Sequence, residues 1–354
     1  MTKFSVHQLL PTINRYDAIG NEAIVIREIL RKMGYNSEIY AENIHPSMKG
    51  QAKNYTEYNE HTNDVFIYHH SIGSGLGDFI LSLKSKIIMI YHNITPPEFF
   101  DDTNAEISKL LRLGKSQLLI FKNKIDVAVG DSEYNRLELE QSGYKKTGIL
   151  PILLEKAKYQ KQADQDLIAK YKDYVNILYV GRIAPNKRVD EVIRAFSYYN
   201  YNINSQSHLF LVGCFDGTTN GYYQYLSSLV NSSKTKNVHF VTDANDDQLI
   251  SFYKIADVFM TMSLHEGFCV PLVESMLCKV PIIAYDSTAI PYTLGDSGVK
   301  VTNETFEEIG ELINIVATKS ELRTTIVEKQ TERFTSIYDK DNQSMISEIL
   351  DLVL

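Results

Sequence analysis

Two carboxylates and two cations in the second half of the chain have a spacing that could bind a phosphorylated ligand. The stretch SLHEGFCVPLVESM, residues 263–276, carries Glu266 and Glu274 eight positions apart. Eight helical residues turn by about 80° from a shared face, and GFCVP is a poor helix sequence, so a single helical face does not carry both acids. The pattern predicts a strand, a bend and then a helix, with Pro271 near its first residue and Glu274 in its opening turn.

The start of that helix would present free backbone N–H groups between the two acids, which is an arrangement that binds an anion. A second motif, YVGRIAPNKRVDEVIRAF, places Arg182 and Lys187 between a strand and a helix. Arg182 would bind a diphosphate through forked hydrogen bonds and Lys187 through a compact charge. Two simpler interpretations stay open: Arg182 and Lys187 as solvated surface charges, and Glu274 as a complement to the helix dipole.

Strand and helix patterns alternate along both halves of the chain and predict the scaffold for these residues. Apolar runs typical of buried strands occur at 3–10, 64–70, 86–94, 125–130, 147–154, 176–181, 207–213, 237–241, 257–262 and 281–285. Residues 21–34 have helical periodicity, and the last 35 residues also have a helical pattern. We predict an α/β protein with two doubly wound parallel sheets, which bind ligands at the carboxyl ends of their strands.

The polar, strand-free stretch 155–175 marks the predicted domain boundary. We expect one Rossmann-like domain over residues 1–155, a second over 156–336, and a helix at about 337–354 that packs back on the first. Two such domains facing each other would form a central cleft lined by the loops that follow the strands.

The bulk composition is typical of an ordinary soluble protein. The 354 residues suffice for two domains, and a net charge of −8 argues against nucleic-acid binding. Three cysteines without a CxxC pair predict neither a disulfide framework nor structural zinc, and they suit a reducing cytoplasm. Because no signal peptide and no apolar stretch of about 18 residues is evident, we expect a cytoplasmic protein, with peripheral contact at the inner membrane face as an option.

Taken together, GRIAPNKRVDEVIRAF and SLHEGFCVPLVESMLCKVPIIAYDSTAIPYTLGDSGV resemble the retaining, family-4-like glycosyltransferases of GT-B fold, the glycosyl transferases group 1. The family pattern is a G-R…K phosphate pair, an E-G-F-x-x-P-x-x-E sugar-nucleotide motif and a following P-V-I-A strand. In the first half, DAIGN (17–21) and YHNITP (91–96) resemble a bacterial subgroup of this family. The resemblance implies that the first domain lies on the acceptor side and that the second binds the nucleotide sugar.

The resemblance also implies a role for each matching residue. Arg182 and Lys187 would bind the diphosphate, Glu266 the donor hexose and Glu274 the ribose. His92 would stand beside the sugar and, with Glu266, Arg182 and Lys187, make up the catalytic set. The other implied donor-site positions are Gly20 in an amino-terminal glycine loop, Ala244 and Leu249 beside the base, and Gly267, Phe268, Cys269 and Val270 around the phosphates.

This chain departs from the family pattern at several positions near the donor sugar and the acceptor. Cys269 and Lys279 replace common glycines, Ser287 and Thr288 stand where many members have two glycines, and Tyr292 replaces an acid. These departures bear on the choice of sugar more than on the class of reaction. His69 and His70, at the end of an apolar run, are expected to be structural more than to line the acceptor site.

The implied reaction is the transfer of a hexose, from a UDP-sugar such as UDP-glucose, to a saccharide or lipid-linked saccharide in polysaccharide biosynthesis. Front-face attack would retain the anomeric configuration, with the departing phosphate oxygen taking the acceptor proton. We predict no cofactor and no metal, because H-E-x-x-H and a suitably placed D-x-D pair are absent. A non-catalytic partner subunit and a nucleotide-sugar epimerase remain alternatives, while the lack of G-x-G-x-x-G disfavours a dinucleotide-dependent oxidoreductase.

Residues 105–124 could contact a membrane. The stretch has five basic residues, one acid and eight large apolar residues. It would suit an anionic membrane surface near a lipid-linked acceptor. The alternative is an ordinary core helix with a solvated basic face.

Overall fold

The computed structural model describes residues 5–14, 17–61, 63–161, 163–214, 220–233 and 235–354. The chain divides into two compact units. Unit 1 consists of Met1–Asp101, Ala105–Leu154 and Lys340–Leu354, and unit 2 of Asp102–Asn104 and Glu155–Asp339. The main change of unit therefore falls after Leu154, and the chain returns to unit 1 after Asp339.

Strands and helices alternate along both units. The first part of unit 1 contains β1 (Val6–Ile13), α1 (Ala18–Lys32), β2 (Ile39–Ile44), β3 (Lys53–Asn54), β4 (Val65–His70), α2 (Gly77–Ser82), β5 (Lys86–Tyr91), α3 (Ala105–Phe121), β6 (Val127–Gly130), α4 (Glu133–Gln141) and β7 (Thr147–Ile149). Unit 2 contains α5 (Gln165–Tyr171), β8 (Val175–Val180), α6 (Val189–Tyr198), β9 (Ser207–Val212), α7 (Asn220–Ser233), β10 (Val238–Val241), α8 (Asp246–Ile255), β11 (Val258–Thr261), α9 (Val270–Leu277), β12 (Ile282–Tyr285), α10 (Ile290–Leu294), β13 (Val299–Val301), α11 (Phe306–Thr318) and α12 (Ser320–Ile337). The last helix, α13 (Asn342–Asp351), belongs to unit 1.

Each unit is built on one parallel sheet. The strand order is β3-β2-β1-β4-β5-β6-β7 in unit 1 and β10-β9-β8-β11-β12-β13 in unit 2. All strand pairs in these sheets are parallel. The strand order reverses between β1 and β4 and between β8 and β11, and such switch points are where doubly wound sheets bind ligands.

The predicted strand runs are confirmed, since each overlaps a strand of the structure. β2, β3 and β13 have no counterpart among those runs. β3 and β13 have only two and three residues, and β2 ends in the half-exposed polar sequence ENI. Short strands toward the edge of a sheet need little apolar sequence, so they leave a weak pattern.

The carboxyl-terminal helix α13 packs into the core of unit 1. Ile26 and Leu30 of α1 are fully buried in one cluster with Ile346 and Leu350 of α13. α1 begins at Ala18, where the Asp17 side chain accepts a hydrogen bond from the Ile19 N–H at 3.4 Å. Within the described ranges, no helix has both the length and the apolar content needed to span a bilayer.

Candidate functional site

The loops after β8 and β11 are joined at the switch point of unit 2. The Leu264 N–H donates to the Asn186 carbonyl at 2.9 Å, and the Asn186 side chain donates to the His265 carbonyl at 3.4 Å. Because these bonds connect backbone to backbone and side chain to backbone, they fix the two loops relative to each other. The charged residues on the two loops are thereby brought together.

Lys187 and Glu266 form an ion pair across these loops. The Lys187 Nζ lies 2.7 Å from Glu266 Oε1, and the two side chains are 19% and 11% exposed. Arg182, also on the loop after β8, is exposed, and its carbonyl accepts a hydrogen bond from the Tyr179 hydroxyl at 3.1 Å. A ligand anion that approached Lys187 would therefore compete with the carboxylate of Glu266 for this cation.

The predicted strand, bend and helix are confirmed between β11 and α9. Cys269 precedes the helix with a left-handed backbone (φ 69°), and Pro271 is the second residue of α9. Phe268 and Cys269 are buried, while Gly267 and Val270 are half-buried. The start of α9 thus follows directly on the Glu266 loop, and its helix dipole favours an anion there, although Pro271 has no N–H and the Leu272 N–H donates to the Cys269 carbonyl at 3.0 Å.

A strained threonine holds the backbone of Glu266. The Glu266 N–H donates to Thr288 Oγ1 at 2.9 Å, and Ser287 Oγ donates to the Ser263 carbonyl at 2.6 Å. Thr288 has φ 45°, which a β-branched residue rarely adopts. The hydrogen bond to its hydroxyl fixes the loop that carries the Glu266 carboxylate. This bond offsets part of the free-energy cost of the strained backbone.

Left-handed backbone explains three of the family's common glycines. Cys269, Lys279 and Thr288 have φ of 69°, 59° and 45°. Glycine adopts this region without the clash that a Cβ causes, which costs about 1–2 kcal/mol. The side chains that stand here in place of glycine are therefore accommodated at a cost in backbone strain.

Replacing Lys279 by glycine is expected to raise the free energy of unfolding by about 0.5–1 kcal/mol, because the relief of strain exceeds the added backbone entropy of glycine. Lys279→Ala, which keeps the Cβ, should remain close to the original chain. Urea unfolding of the three proteins measures both effects. A glycine variant less stable than the alanine variant would contradict the left-handed conformation at this residue.

Glu274 is buried in α9, and it lies beyond the first turn of this helix, so its predicted position in the opening turn is wrong. Its Oε1 accepts a hydrogen bond from the Tyr159 hydroxyl, and its Oε2 accepts one from the Tyr253 hydroxyl at 2.6 Å. Burial is the main cause that raises the pKa of both phenols, and the negative charge of Glu274 is the second. Both hydroxyls therefore stay protonated and act as donors at any ordinary pH. The sequence pattern gives no sign of either tyrosine, because Tyr159 lies in the polar stretch at the start of unit 2 and Tyr253 occupies an ordinary core position of α8.

Ala244 and Leu249 lie at the amino end of α8. Asn245 caps this helix, and its side chain and that of Gln248 bond reciprocally to the backbone at 2.9 and 3.0 Å. Ala244 and Leu249 are both half-buried. Tyr253, farther along α8, links this helix to Glu274.

Gly20 lies in unit 1, in the first turn of α1, and the prediction of a glycine loop at this residue is wrong. A Cβ at Gly20 would lie 2.4 Å from the carbonyl oxygen of Asn14. Glycine is required because the helix start packs directly on the backbone that follows β1. The loop that precedes the helix includes residues 15–16, which lie outside the described residues.

His92 is the centre of a buried polar network at the carboxyl ends of β4, β5 and β6. Its Nδ1 lies 2.9 Å from Asp131 Oδ2, and its Nε2 lies 2.9 Å from His69 Nδ1. The Nε2 of His69 in turn lies 3.0 Å from Gln8 Oε1, and Gln8 Nε2 donates to the Ala23 carbonyl at 2.8 Å. Both ring nitrogens of His92 are therefore engaged inside unit 1, and a hydrogen bond from His92 to a sugar would require one of these contacts to open.

Hydrogen-bond directions in this network require a proton between the two histidines. Because Gln8 offers its carbonyl oxygen, His69 carries hydrogen on Nε2 and faces His92 with a lone pair. His92 must then donate through Nε2, and it also faces Asp131 through Nδ1. Although burial disfavours its charged form, the charge and the hydrogen bond of Asp131 raise the pKa of His92, which favours an imidazolium with Asp131 as its counter-ion.

Glu22 adds a second carboxyl group to this network. Its Oε1 accepts from the Leu153 N–H at 3.0 Å, and its Oε2 lies 4.0 Å from His92 Nε2 with no hydrogen-bond partner in the described part of the chain. Burial raises the pKa of Glu22 to about 8, so this group is protonated at neutral pH. Burial also raises the pKa of Asp131, while the charge of His92 and its hydrogen bond to Asp131 act in the opposite direction.

Glu22, His69 and His92 are close enough to be considered as metal ligands, since their nearest ligand atoms lie within 4.8 Å of one another. The two imidazole rings, however, are coplanar to 1°, with centroids 5.2 Å apart and nitrogens 2.9 Å apart. The two nitrogens therefore point at each other along one line. That geometry fits a shared proton better than a metal, which needs lone pairs that converge on a third point.

The predicted site residues thus fall into two groups. His92 and Gly20 belong to unit 1, and the residues of the phosphate pair and of the motif around α9 belong to unit 2. In unit 2 the structure joins Lys187 to Glu266 directly and connects Glu274 to α8 through Tyr253. His69, expected to be structural, is buried and bonded to His92, and His70 bonds to the Tyr68 hydroxyl at 2.9 Å and the Gly114 carbonyl at 3.0 Å.

Comparison with known sequences identifies a family for most of unit 2. Residues 160–333 match the family model described as Glycosyl transferases group 1. O-antigen chain mannosyltransferase B of Escherichia coli is 25% identical over 122 residues, which are 34% of this chain and 31% of that protein. The capsular polysaccharide biosynthesis glycosyltransferase CapM of Staphylococcus aureus is 30% identical over 166 residues, 44% of this chain and 41% of CapM. These matches span less than half the length of either relative.

Solved structures extend the likeness to nearly the whole chain. Alr3699/HepE of Anabaena, in complex with UDP and glucose, has a TM-score of 0.74 and 14% identity over 98% of both chains. WaaG, a glycosyltransferase involved in lipopolysaccharide biosynthesis, has a TM-score of 0.73 and 15% identity over 98% of this chain and 99% of WaaG. At such identities the likeness establishes the fold alone, and it confirms the predicted α/β class with two Rossmann-like units of GT-B type.

Proposed function

Because residues 160–333 belong to the glycosyl transferases group 1 family, we propose that this chain transfers a hexose from a nucleoside diphosphate sugar to a saccharide or lipid-linked saccharide. Polysaccharide biosynthesis is the expected setting, since the relatives named above are a mannosyltransferase of O-antigen chains and a capsular polysaccharide enzyme. The cytoplasm, where nucleotide sugars would be available as donors, is the proposed location.

One observation above all supports this proposal. A lysine and a carboxylate form a partly shielded pair at the switch point of a doubly wound sheet, beside the start of α9. The lysine and the helix start favour the negative diphosphate, while Glu266 can accept hydrogen bonds from sugar hydroxyls. A diphosphate joined to a sugar is the ligand that uses both.

In the proposed reaction these groups act on the leaving diphosphate. Lys187 and Arg182 would neutralise the charge that develops as the bond between hexose and phosphate breaks, and the dipole at the start of α9 would add to this stabilisation. Glu266 would position the hexose, because its carboxylate is already paired with a cation and is held by Thr288. Retention of the anomeric configuration by front-face attack, with the phosphate oxygen taking the acceptor proton, is part of the proposal.

The donor sugar is proposed from two kinds of likeness. UDP-glucose is the first candidate, and a HepE structure was determined with this nucleotide sugar. GDP-mannose is the second, because O-antigen chain mannosyltransferase B and serotype-specific mannosyltransferase WbdA are among the relatives. The departures at Ser287, Thr288 and Tyr292 are in the part of unit 2 that would select the sugar.

Slow hydrolysis of the donor without acceptor is the test of this function. With a panel of UDP- and GDP-sugars, we expect one donor to be hydrolysed to nucleoside diphosphate and free hexose at a rate that excess EDTA leaves unchanged. Two cations in the site replace the charge that a metal supplies elsewhere. Activity that disappears with EDTA and returns with Mg²⁺ or Mn²⁺ would contradict metal independence.

The same assay separates the two alternative functions. An epimerase would release an isomerised sugar nucleotide or its sugar, which chromatography of the products detects. A non-catalytic partner subunit would bind a nucleotide sugar without hydrolysing it. Hydrolysis of one donor with the sugar configuration unchanged favours the transferase.

Contact with a membrane remains part of the proposal for a lipid-linked acceptor. α3 exposes Leu110, Leu113, Leu119 and Ile120 on its surface. Arg112 on the same helix is paired with Asp101 at 2.8 Å, so part of its basic charge is neutralised within the chain. We propose peripheral attachment through residues 105–124, driven mainly by these apolar side chains.

A further inference from the structure

The carboxylate of Glu274 has no acceptor capacity left open to solvent. Tyr159 and Tyr253 each donate to one of its two oxygens, and all three residues are at most 6% exposed. In the proposed function, which this inference rests on, Glu274 accepts hydrogen bonds from the ribose of the donor. The carboxylate oxygens could accept further hydrogen bonds, but because they are buried, a ribose hydroxyl can reach them only if one of the two tyrosines moves.

Of the two tyrosines, Tyr253 is the fixed one. It lies on α8, is fully buried, and stacks on Phe259 of β11 with centroids 6.4 Å apart. To move its hydroxyl, α8 would have to leave the sheet. Tyr253 is thus suited to orient Glu274 permanently, as a positioning residue.

Tyr159, in contrast, lies on a short 3₁₀ segment, Lys156–Gln160, which belongs to neither the sheet nor a long helix. Ion pairs with exposed acids tether this strap, defined here as residues 155–161. Its ion pairs are Lys156–Asp339 at 3.0 Å, Lys158–Asp246 at 3.4 Å and Lys161–Asp247 at 3.0 Å. Pairs of this exposed kind contribute little stability each, so these three tethers separate easily, and the buried Tyr159 side chain and a hydrogen bond from Lys254 to the Lys161 carbonyl complete the attachment.

The strap also covers the end of unit 2 where the base is expected to bind. Asp246 and Asp247, to which Lys158 and Lys161 bind, form the first turn of α8, directly after Ala244 and Asn245. The tethers and the tyrosine hydroxyl therefore hold the strap over both ends of the expected nucleoside position. Movement of the strap would free Glu274 and the start of α8 together.

We propose that Tyr159 is a placeholder for the ribose: its hydroxyl occupies the hydrogen-bonding position on Glu274 that a ribose hydroxyl takes, and the strap is displaced when the nucleotide binds. The exchange replaces one hydroxyl donor on the carboxylate by another. The nucleotide consequently competes with the Tyr159 side chain for Glu274. A strap that is already displaced would remove this competition and raise the affinity for the nucleotide.

Calorimetric titration with UDP, and with GDP in parallel, tests this competition in the full chain. Tyr159→Phe removes the competing hydroxyl and keeps the ring, so we expect it to bind the preferred diphosphate about threefold to tenfold more tightly than the original chain. Tyr253→Phe is the matched control. It removes the other hydroxyl on the same carboxylate but frees no ligand position, so it should not tighten binding.

Two further measurements keep the test independent of how Tyr159→Phe folds. Lys158→Ala and Lys161→Ala loosen the strap without touching Glu274, and both should tighten binding in the same direction by about twofold. In the original chain, hydrogen exchange of a peptide covering residues 155–161 should become faster when the nucleotide is added, whereas a strap that merely supports the fold would exchange more slowly or at the same rate.

The outcomes distinguish this proposal from the proposed function. If the original chain binds a diphosphate but Tyr159→Phe binds it equally or more weakly, the placeholder role is overturned and the transferase proposal stands. Unchanged exchange in the strap together with unchanged affinity has the same meaning. If neither the original chain nor any of the four variants binds a nucleotide diphosphate, the placeholder role and the proposed function both fail.

Discussion

Replacing Lys187 by alanine is expected to reduce the rate of sugar transfer by about 100-fold or more, because the lysine would meet charge that develops only as the donor bond breaks. The loss of affinity for the free diphosphate should be smaller, about tenfold or less. In the unliganded chain Lys187 is already paired with Glu266 at 2.7 Å, and the ligand must break or share that pair. Steady-state kinetics, with calorimetry for the diphosphate, measures the two effects separately.

Arg188→Ala is the matched control for Lys187→Ala, since it removes the same charge one residue farther along. Arg188 is engaged elsewhere: it pairs with Glu191 and lies over the Tyr285 ring with its guanidinium carbon 5.1 Å from the centroid. We expect a change of less than about threefold in the transfer rate, because this partly buried pair holds Arg188 away from Glu266 and contributes little on its own. Equal losses in the two variants would mean that Lys187 acts only through the net charge of unit 2.

Replacing Asp131 by asparagine is expected to lower the free energy of unfolding by about 3–5 kcal/mol at neutral pH, because it leaves the buried imidazolium of His92 without its counter-ion. The His92 Nδ1 and Asp131 Oδ2 are 2.9 Å apart, and both side chains are 2% exposed. Chemical unfolding at several pH values measures the loss. The deficit should decrease toward high pH, where His92 is neutral in either protein.

Glu22→Gln is the control for Asp131→Asn, because it changes a carboxyl group in the same cluster without breaking the ion pair. Burial raises the pKa of Glu22 to about 8, so between its unfolded value of about 4.5 and pH 8 the unfolded chain releases a proton that the folded chain keeps. This group therefore costs stability as the pH rises through that window. Glu22→Gln should lose stability less steeply than the original chain over this range, and a stability loss as large as that of Asp131→Asn would refute the proposed charge state.

Local sequence patterns are enough to predict the two sheets and the local form of the donor motif. The conformation of an apolar run followed by a glycine or proline turn can be predicted from its own residues, because a strand, a bend and a helix start depend mainly on neighbouring residues. This is why β11, the bend at Cys269 and the helix α9 that carries Glu274 were predictable, although Glu274 lies beyond the first turn in which the pattern placed it. Lys187 and Glu266 could be assigned to the same carboxyl edge of the sheet in unit 2, because each follows one of its parallel strands.

The contacts of these groups, in contrast, depend on the folded chain. Tyr159 and Glu274 are 115 residues apart in the chain, and no local pattern marks a tyrosine in a polar stretch as the donor to a buried carboxylate. The same holds for His92, whose partners Asp131 and His69 come from the ends of two other strands. Hydrogen bonds between distant segments, and the resulting charge states, depend on which strand ends meet at a sheet edge and on how deeply they are buried. Sequence periodicity predicts neither the neighbouring strand ends nor their burial.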